Sequence, residues 1–121
     1  MKRYKLTDPI YERSVILYVG GTEHDLYAAI PGAKYNRCDE LIEEGPDAGN
    51  DGCEFHTKDP DEFIVWLSRS DPKLLHHELF HLTLDVLDNT GLTLTPESEE
   101  AYAYWNAHIF AEAYDTLFGL E

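Results

Sequence analysis

A segment near the middle of the chain carries the local signals of a stable amphipathic helix. Asp71 offers a capping carboxylate, and Pro72 suits the first helical position, where its missing N–H leaves no hydrogen bond unmade. Gly91 is typical of the position just past a helix end. Apolar residues recur in between at the spacing of one helical face, at Leu75, Leu79, Leu82 and Val86. The pattern predicts a helix from 72 to about 89 with one buried face.

Two short apolar segments, 15–19 (VILYV) and 63–67 (FIVWL), predict strands. Residues 53–57 are predicted to pair with the second segment as a hairpin, with 58–62 as the connection. The stretch EEGPDAGNDG, at 43–52, is acidic and rich in turn residues, so a loop is expected there.

Two further helices are predicted around the long one. Thr22 is expected to cap a short helix that ends at Pro31. Thr95-Pro96 repeats the start signal, and this last helix should reach Phe118. The length of the chain suits a single domain, which is expected to span 1–121.

The charge balance excludes several kinds of partner. Nine basic residues stand against 24 acidic ones, giving a net charge of −15 at pH 7. Nucleic-acid binding and docking on anionic lipid both need clustered Lys and Arg, so neither is expected. The acidity serves either solubility or a surface that attracts basic partners or imitates nucleic acid. The sequence leaves the oligomeric state open.

Compartment and thiol chemistry give weaker constraints. No signal-peptide core follows the basic start, and no apolar run is long enough for a spanning helix, so a cytoplasmic protein is expected. Cys38 and Cys53 form no CxxC pair. Two free thiols are expected, although the sequence alone does not exclude a bridge between them.

Residues 77–81 read HELFH and match the HExxH pattern inside the long predicted helix. His77 and His81 are one turn apart on the same face, where both imidazoles can reach one zinc ion. Glu78 is turned away from direct ligation but can take a proton from a zinc-activated water. The motif predicts a zinc site with Glu78 as general base.

A catalytic zinc needs a third protein ligand, and the sequence offers one at the right distance. Eighteen residues separate His81 from Glu100, with a glycine turn between them that brings the last helix back. Glu97 and Glu99 are explained by the helix dipole, which favours acids in a first turn. Glu99 remains the rival ligand.

HELFH followed by EAYAYW from Glu100 resembles the gluzincin pattern, in which an aromatic residue and an alanine follow the ligand glutamate. The C-terminal half also resembles small HExxH proteins encoded by bacteriophages and prophages. The resemblance implies an α+β protein with a minimal zincin fold, in which a small antiparallel or mixed sheet packs on the HExxH helix and the last helix carries the third ligand. It also implies that an edge strand before the HExxH helix, matched by 63–67, pairs with extended substrate.

Residues around the motif have supporting roles in this interpretation. Tyr104 and His108 follow Glu100 at one-turn intervals, so either could donate a hydrogen bond to a developing oxyanion. Asp85 could accept a hydrogen bond from a ligand imidazole, or be a solvated acid. His76 points about 100° away from His77 and is a neighbour rather than a ligand.

The sequence thus predicts a zinc-dependent hydrolase, with His77, His81 and Glu100 as metal ligands and a peptide or protein substrate, for which basic segments would suit the charge. A zinc hydrolase acting on a non-peptide amide is a close variant. The alternative is a catalytically inert acidic binding or inhibitor protein, such as a phage factor acting on host machinery, with structural zinc or none.

Overall fold

In a computed structural model of the chain, residues 1–8, 10–30, 51–56 and 62–119 are described. They form four strands and three helices: β1 (Lys2–Thr7), β2 (Ser14–Val19), α1 (Glu23–Ala29), β3 (Gly52–His56), β4 (Glu62–Leu67), α2 (Pro72–Asn89) and α3 (Glu99–Phe118). None of the described helices has the length and apolar character needed to cross a membrane.

The four strands make one mixed sheet in the order β1-β2-β4-β3. β2 and β4 are parallel neighbours, while β1 and β3 run antiparallel along the two edges. The pairing of β3 with β4 confirms the predicted hairpin, and the predicted α+β class with a small mixed sheet is confirmed. The prediction that 63–67 is an edge strand is wrong, because β4 has a partner on each side and β3 takes the edge.

Both faces of the sheet are covered. Alternate residues of the two central strands, such as Leu17 and Val65, point to one face and join the inner faces of α2 and α3 in the main core. The residues between them, such as Ile64 and Trp66, point to the other face and pack with Leu26 of α1. This alternation follows from the two-residue period of a strand, and it explains why both central strands are continuously apolar.

Helix α2 matches its predicted start and end. The Asp71 side chain accepts hydrogen bonds from the backbone N–H groups of Lys73 and Leu74, and Pro72 opens the helix. All four residues of the predicted stripe are fully buried. Gly91 follows the helix with a φ of 94°, a conformation that strains any residue with a side chain.

Helix α3 begins later than predicted. Thr95 and Ser98 close a turn instead, in which the backbone N–H of Ser98 donates to the Thr95 carbonyl and the helix starts at Glu99. Glu97 therefore precedes the helix. The predicted end at Phe118 is confirmed. α3 packs against α2, where the Thr83 hydroxyl donates to the side-chain oxygen of Asn106 at 2.8 Å.

The N-terminal strand was not predicted. In β1 only Tyr4 and Leu6 turn inward, and the charged residues Lys2, Arg3 and Lys5 hide the alternation. The short helix α1 is confirmed, with a capping box between Thr22 and Asp25. Cys53 is buried. Cys38 and most of the predicted acidic loop at 43–52 lie outside the described residues.

Candidate active site

The two histidines of HELFH lie side by side on the outer face of α2. Their ring centroids are 5.0 Å apart and the rings are inclined by 74°. This arrangement follows from the helix, since residues four apart are stacked on one face. Both residues are exposed, and 65% of the His77 side chain is open to solvent. The pair is therefore accessible from solution.

Glu78, the residue after the exposed His77, is buried. Only 5% of its surface is exposed, and its Oε2 lies 3.9 Å from His77 Nε2. Its Cγ packs against the backbone of Gly52 at the start of β3, where an added Cβ would approach it to 3.1 Å. The same Cβ would meet the Trp66 carbonyl oxygen at 2.9 Å. A residue without a side chain at 52 is what allows β3 to approach the helix closely enough to bury Glu78.

An open cleft of about 470 Å³ borders this carboxylate. Its walls include His77 and Glu78 on one side and the loop between β4 and α2 on the other. Arg69 in that loop lies 3.4 Å from the Asp51 carboxylate and 3.6 Å from that of Asp71. These contacts tie the cleft wall to both β3 and the helix start. This cleft was not predicted, because its walls combine two segments that are far apart in the sequence, 51–52 and 69–78.

The edge strand β3 presents three residues to α2. Gly52, Glu54 and His56 alternate with the buried Cys53 and Phe55, which face α1. His56 Nδ1 lies 3.2 Å from both oxygens of Asp85, so the far end of the strand is also held on the helix. Asp85 thus contacts His56.

Glu54 lies midway along β3 on the side that faces α2 and is half-buried. Along α2, His81 lies between Glu78, which contacts Gly52, and Asp85, which contacts His56. Glu54 is therefore at about the level of His81. The sequence did not predict this position of Glu54, because the pairing of β3 with β4 determines which side of β3 faces α2.

The two candidate third ligands at the start of α3 point in different directions. Glu100 is nine residues before the buried Ile109, which places the two about 180° apart around the helix, and it is exposed. Glu99 lines a groove between the helices together with Phe80 and Leu84 of α2. Glu99 is thus turned toward α2, whereas Glu100 is on the solvent side of α3.

Neither proposed oxyanion donor lies beside the histidine pair. Tyr104 is 70% exposed on the solvent side of α3. His108 Nε2 lies 3.7 Å from Glu112, whose carboxylate also accepts a hydrogen bond from the Thr7 backbone N–H, so His108 is on the side of α3 near β1.

Tyr102 contributes to the packing of α3. Its hydroxyl donates to the Leu92 carbonyl at 2.5 Å, and only 7% of the residue is exposed. Burial raises the pKa of the Tyr102 phenol above its ordinary value, and repulsion from Asp88 and Tyr11 acts in the same direction. Its hydroxyl is thus hydrogen-bonded to the loop before α3.

The donor set fits zinc in part. Two imidazoles one turn apart supply two of the ligands that a catalytic zinc requires, and a carboxylate suited to proton transfer adjoins them. Within the described ranges, no three His, Cys, Asp or Glu side chains converge closely enough to hold a metal ion. Two of the residues predicted to bind zinc are therefore adjacent, and among the described residues no third His, Cys, Asp or Glu completes a group with them.

Comparison of the chain with protein-family models, with curated proteins and with solved structures found no match.

Proposed function

We propose that this chain is a zinc-dependent hydrolase that cleaves a peptide or another amide bond. The observation that carries the proposal is the exposed His77–His81 pair beside the buried Glu78 carboxylate, next to an open cleft. A helix that presents two imidazoles with a carboxylate between them supplies part of the arrangement that metal-assisted hydrolysis requires. The remaining ligand would be a carboxylate, either Glu100, as the spacing predicts, or Glu99, as the position of its side chain favours.

In this proposal the chain's own residues have distinct tasks. Zinc, when bound by His77 and His81, would polarise a carbonyl and acidify a water molecule. Glu78 would accept the proton of that water and then deliver it to the leaving nitrogen. Close packing against Gly52 would keep the carboxylate in one orientation during both transfers.

Substrate would bind along the edge of the sheet next to the cleft. β3 is paired with β4 on one side and forms an edge of the sheet formed by the described strands, so its outer backbone groups can pair with an extended peptide. This assigns to β3 the role that the sequence suggested for 63–67. A peptide placed there would run beside His77 and Glu78, since Gly52 lines the same cleft.

Metal binding is tested by elemental analysis of protein purified without a metal-affinity tag. We expect about one zinc per chain in the wild type, and loss of zinc in His77→Ala and His81→Ala. His76→Ala is the matched control, because His76 is on the same helix but contacts Phe110 instead. Absence of zinc from the wild type, with none taken up from a zinc-containing buffer at neutral pH, would overturn the proposal.

Catalysis is tested separately by Glu78→Gln. This variant should keep its zinc, because Glu78 is not a ligand, and should lose turnover of an unfolded protein substrate by at least about 10²-fold. An equally active Glu78→Gln protein would remove the general base from the proposal. A zinc-loaded wild type that cleaves neither peptides nor simple amides would remove the hydrolase assignment itself.

The third ligand is tested by titrating zinc into three single variants. Glu99→Gln, Glu100→Gln and Glu54→Gln each remove one carboxylate from a different position around the pair. The variant that lacks the ligand should bind zinc at least about tenfold more weakly, since each factor of ten corresponds to about 1.4 kcal/mol. If all three bind zinc like the wild type, the site does not take a carboxylate from these positions.

A second candidate is an acidic binding protein without catalytic activity. It is favoured by the net charge of −15 and by the absence of a gathered third ligand among the described residues. In that case Glu78→Gln would leave the biological effect unchanged, whereas the hydrolase proposal requires its loss.

A further inference from the structure

The distribution of charge divides the molecule into two parts. All nine Lys and Arg residues precede Leu74, whereas residues 74–121 contain nine Asp and Glu and no Lys or Arg. The part of α2 after Lys73, the following loop and α3 therefore carry only acidic charge, apart from histidines. This region contains the α2–α3 hairpin.

The hairpin also exposes apolar surface. Phe80 and Leu94 are each 51% exposed, which is unusual for large apolar side chains. They lie on the walls of a groove of about 230 Å³ between the two helices, whose other walls include Leu84, Ala103 and Glu99. Its volume is below the ~300–1,000 Å³ typical of sites that enclose a small-molecule ligand. The groove suits one or two anchoring side chains rather than a whole small molecule.

The groove continues into an acidic cleft. A neighbouring cleft of about 410 Å³ shares Leu84, Leu94 and Tyr102 with it and is also lined by Asp85 and Asp88. The exposed apolar side chains and these carboxylates thus lie along one continuous surface. A helix with apolar residues on one face and Lys or Arg at its borders has the complementary pattern.

We propose that the α2–α3 groove binds a basic amphipathic helix of a partner protein. Apolar side chains of the partner would enter between Phe80 and Leu94, and its flanking Lys or Arg would meet Asp88. The charge excludes nucleic acid and anionic membrane as occupants, because both would be repelled. The proposal does not depend on zinc or on hydrolysis.

The test uses the full chain and a fluorescent helical peptide of leucine and lysine, about 18 residues long, with all leucines on one face. One control peptide replaces lysine by glutamate, and another has the same composition with the leucines scattered around the helix. Fluorescence anisotropy should show binding of the first peptide, no binding of the glutamate peptide and weaker binding of the scattered one. Equal binding of the first and scattered peptides would indicate charge attraction alone and overturn the proposal.

Paired variants locate the site. Phe80→Ser should weaken binding about tenfold, as expected for a central apolar anchor, whereas Tyr114→Ser should leave it unchanged. Tyr114 is a suitable control because it is 41% exposed near the other end of α3. Asp88→Asn should weaken binding several-fold more than Asp115→Asn, which removes the same charge at a distance. Equal effects within either pair would place the peptide elsewhere.

Two further measurements separate the remaining outcomes. Sedimentation analysis of wild type and Phe80→Ser tests whether the occupant is a second copy of the chain; a dimer that the substitution dissociates would overturn the assignment to a basic helix. Peptide binding should be the same with and without EDTA, because Phe80, Leu94 and Asp88 are not proposed zinc ligands. Loss of the zinc or hydrolase proposal would therefore leave this result unaffected, and failure of the groove would leave the zinc tests unaffected.

Discussion

On the side of α2 that faces β3, side chains meet at close range: Glu78 is buried against Gly52, and His56 contacts Asp85 at 3.2 Å. On the side that faces the start of α3, Phe80 is half exposed and Glu100 points to solvent. The histidine pair lies between these two sides. The proposed base is thus fixed by the packing of the fold, whereas the proposed third ligand and the surface around it are not.

The contrast shows how one helix serves two purposes. Its inner face is defined by apolar burial, which tolerates little change. Its outer face carries the groups that would meet a metal, a substrate or a partner. Four predictions test whether the side of α2 that faces β3 tolerates substitution poorly and the side that faces α3 tolerates it well.

The largest effect is expected from the inner face. Leu79 is fully buried and Phe80, the next residue, is 51% exposed. Leu79→Ala should lower the free energy of unfolding by about 2–5 kcal/mol through lost burial and a cavity. Phe80→Ala should lower it by less than about 1 kcal/mol. Urea unfolding of both variants is the measurement, and similar losses would show that the outer face is structural as well.

The close approach of β3 is tested by Gly52→Ala. The added methyl group would meet the Trp66 carbonyl oxygen at 2.9 Å, which the backbone cannot easily relieve, so a loss of about 1–3 kcal/mol is expected. Gly91→Ala is the control for backbone strain, since Gly91 has a positive φ but open space around it. A Gly52→Ala protein as stable as wild type would mean that β3 is not tightly seated on α2.

The loop before α3 is tested through Tyr102. Because its folded-state pKa is raised, the folded protein holds the phenolic proton more tightly than the unfolded chain. The resulting stability is fully present below the unfolded pKa of about 10 and is lost as pH rises through the folded-state value.

Tyr102→Phe should lower the free energy of unfolding by about 1 kcal/mol at neutral pH, since the hydrogen bond to Leu92 is lost. It should also flatten the decline of stability above pH ~10. Denaturant unfolding at a series of alkaline pH values measures both. Parallel pH profiles of the free energy of unfolding for wild type and Tyr102→Phe would show that the Tyr102 phenol does not cause this decline.

The smallest effect is expected at the far end of β3. His56 is half exposed, so its contact with Asp85 is screened by water. His56→Ala should therefore change the free energy of unfolding by less than about 1 kcal/mol in a thermal or urea denaturation experiment. A larger loss would show that this contact, and not Gly52, holds the edge strand on the helix.

The sequence predicted the elements whose signals are local. In α2 the cap at Asp71, the apolar stripe and Gly91 all agree, so both helix ends were predicted correctly. In α3 the Thr95-Pro96 signal was misleading, because the Ser98 side chain completes a turn that delays the helix. A Thr-Pro pair can open a helix or begin a turn that precedes one, and the local sequence does not distinguish the two.

The site was predictable to the extent that it depends on one helix. HELFH fixes the relation of the two histidines to Glu78, because all three are on α2. The order of strands depends on long-range pairing, which left the partner of Glu78, Gly52, unpredicted. The spacing from His81 to Glu100 does not determine the direction in which the Glu100 side chain points.

The parallel pairing of β2 with β4 has a consequence for how the chain folds. Ser14 pairs with Glu62, so the two central strands are 48 residues apart in sequence. Joining them closes a long loop before any of its contacts is gained, which slows folding. Until that closure, FIVWL in β4 is an apolar segment with strong strand propensity and no partner on its β2 side. We expect the yield of refolded protein to fall with rising chain concentration, because unpaired β4 segments of different molecules would then meet each other first.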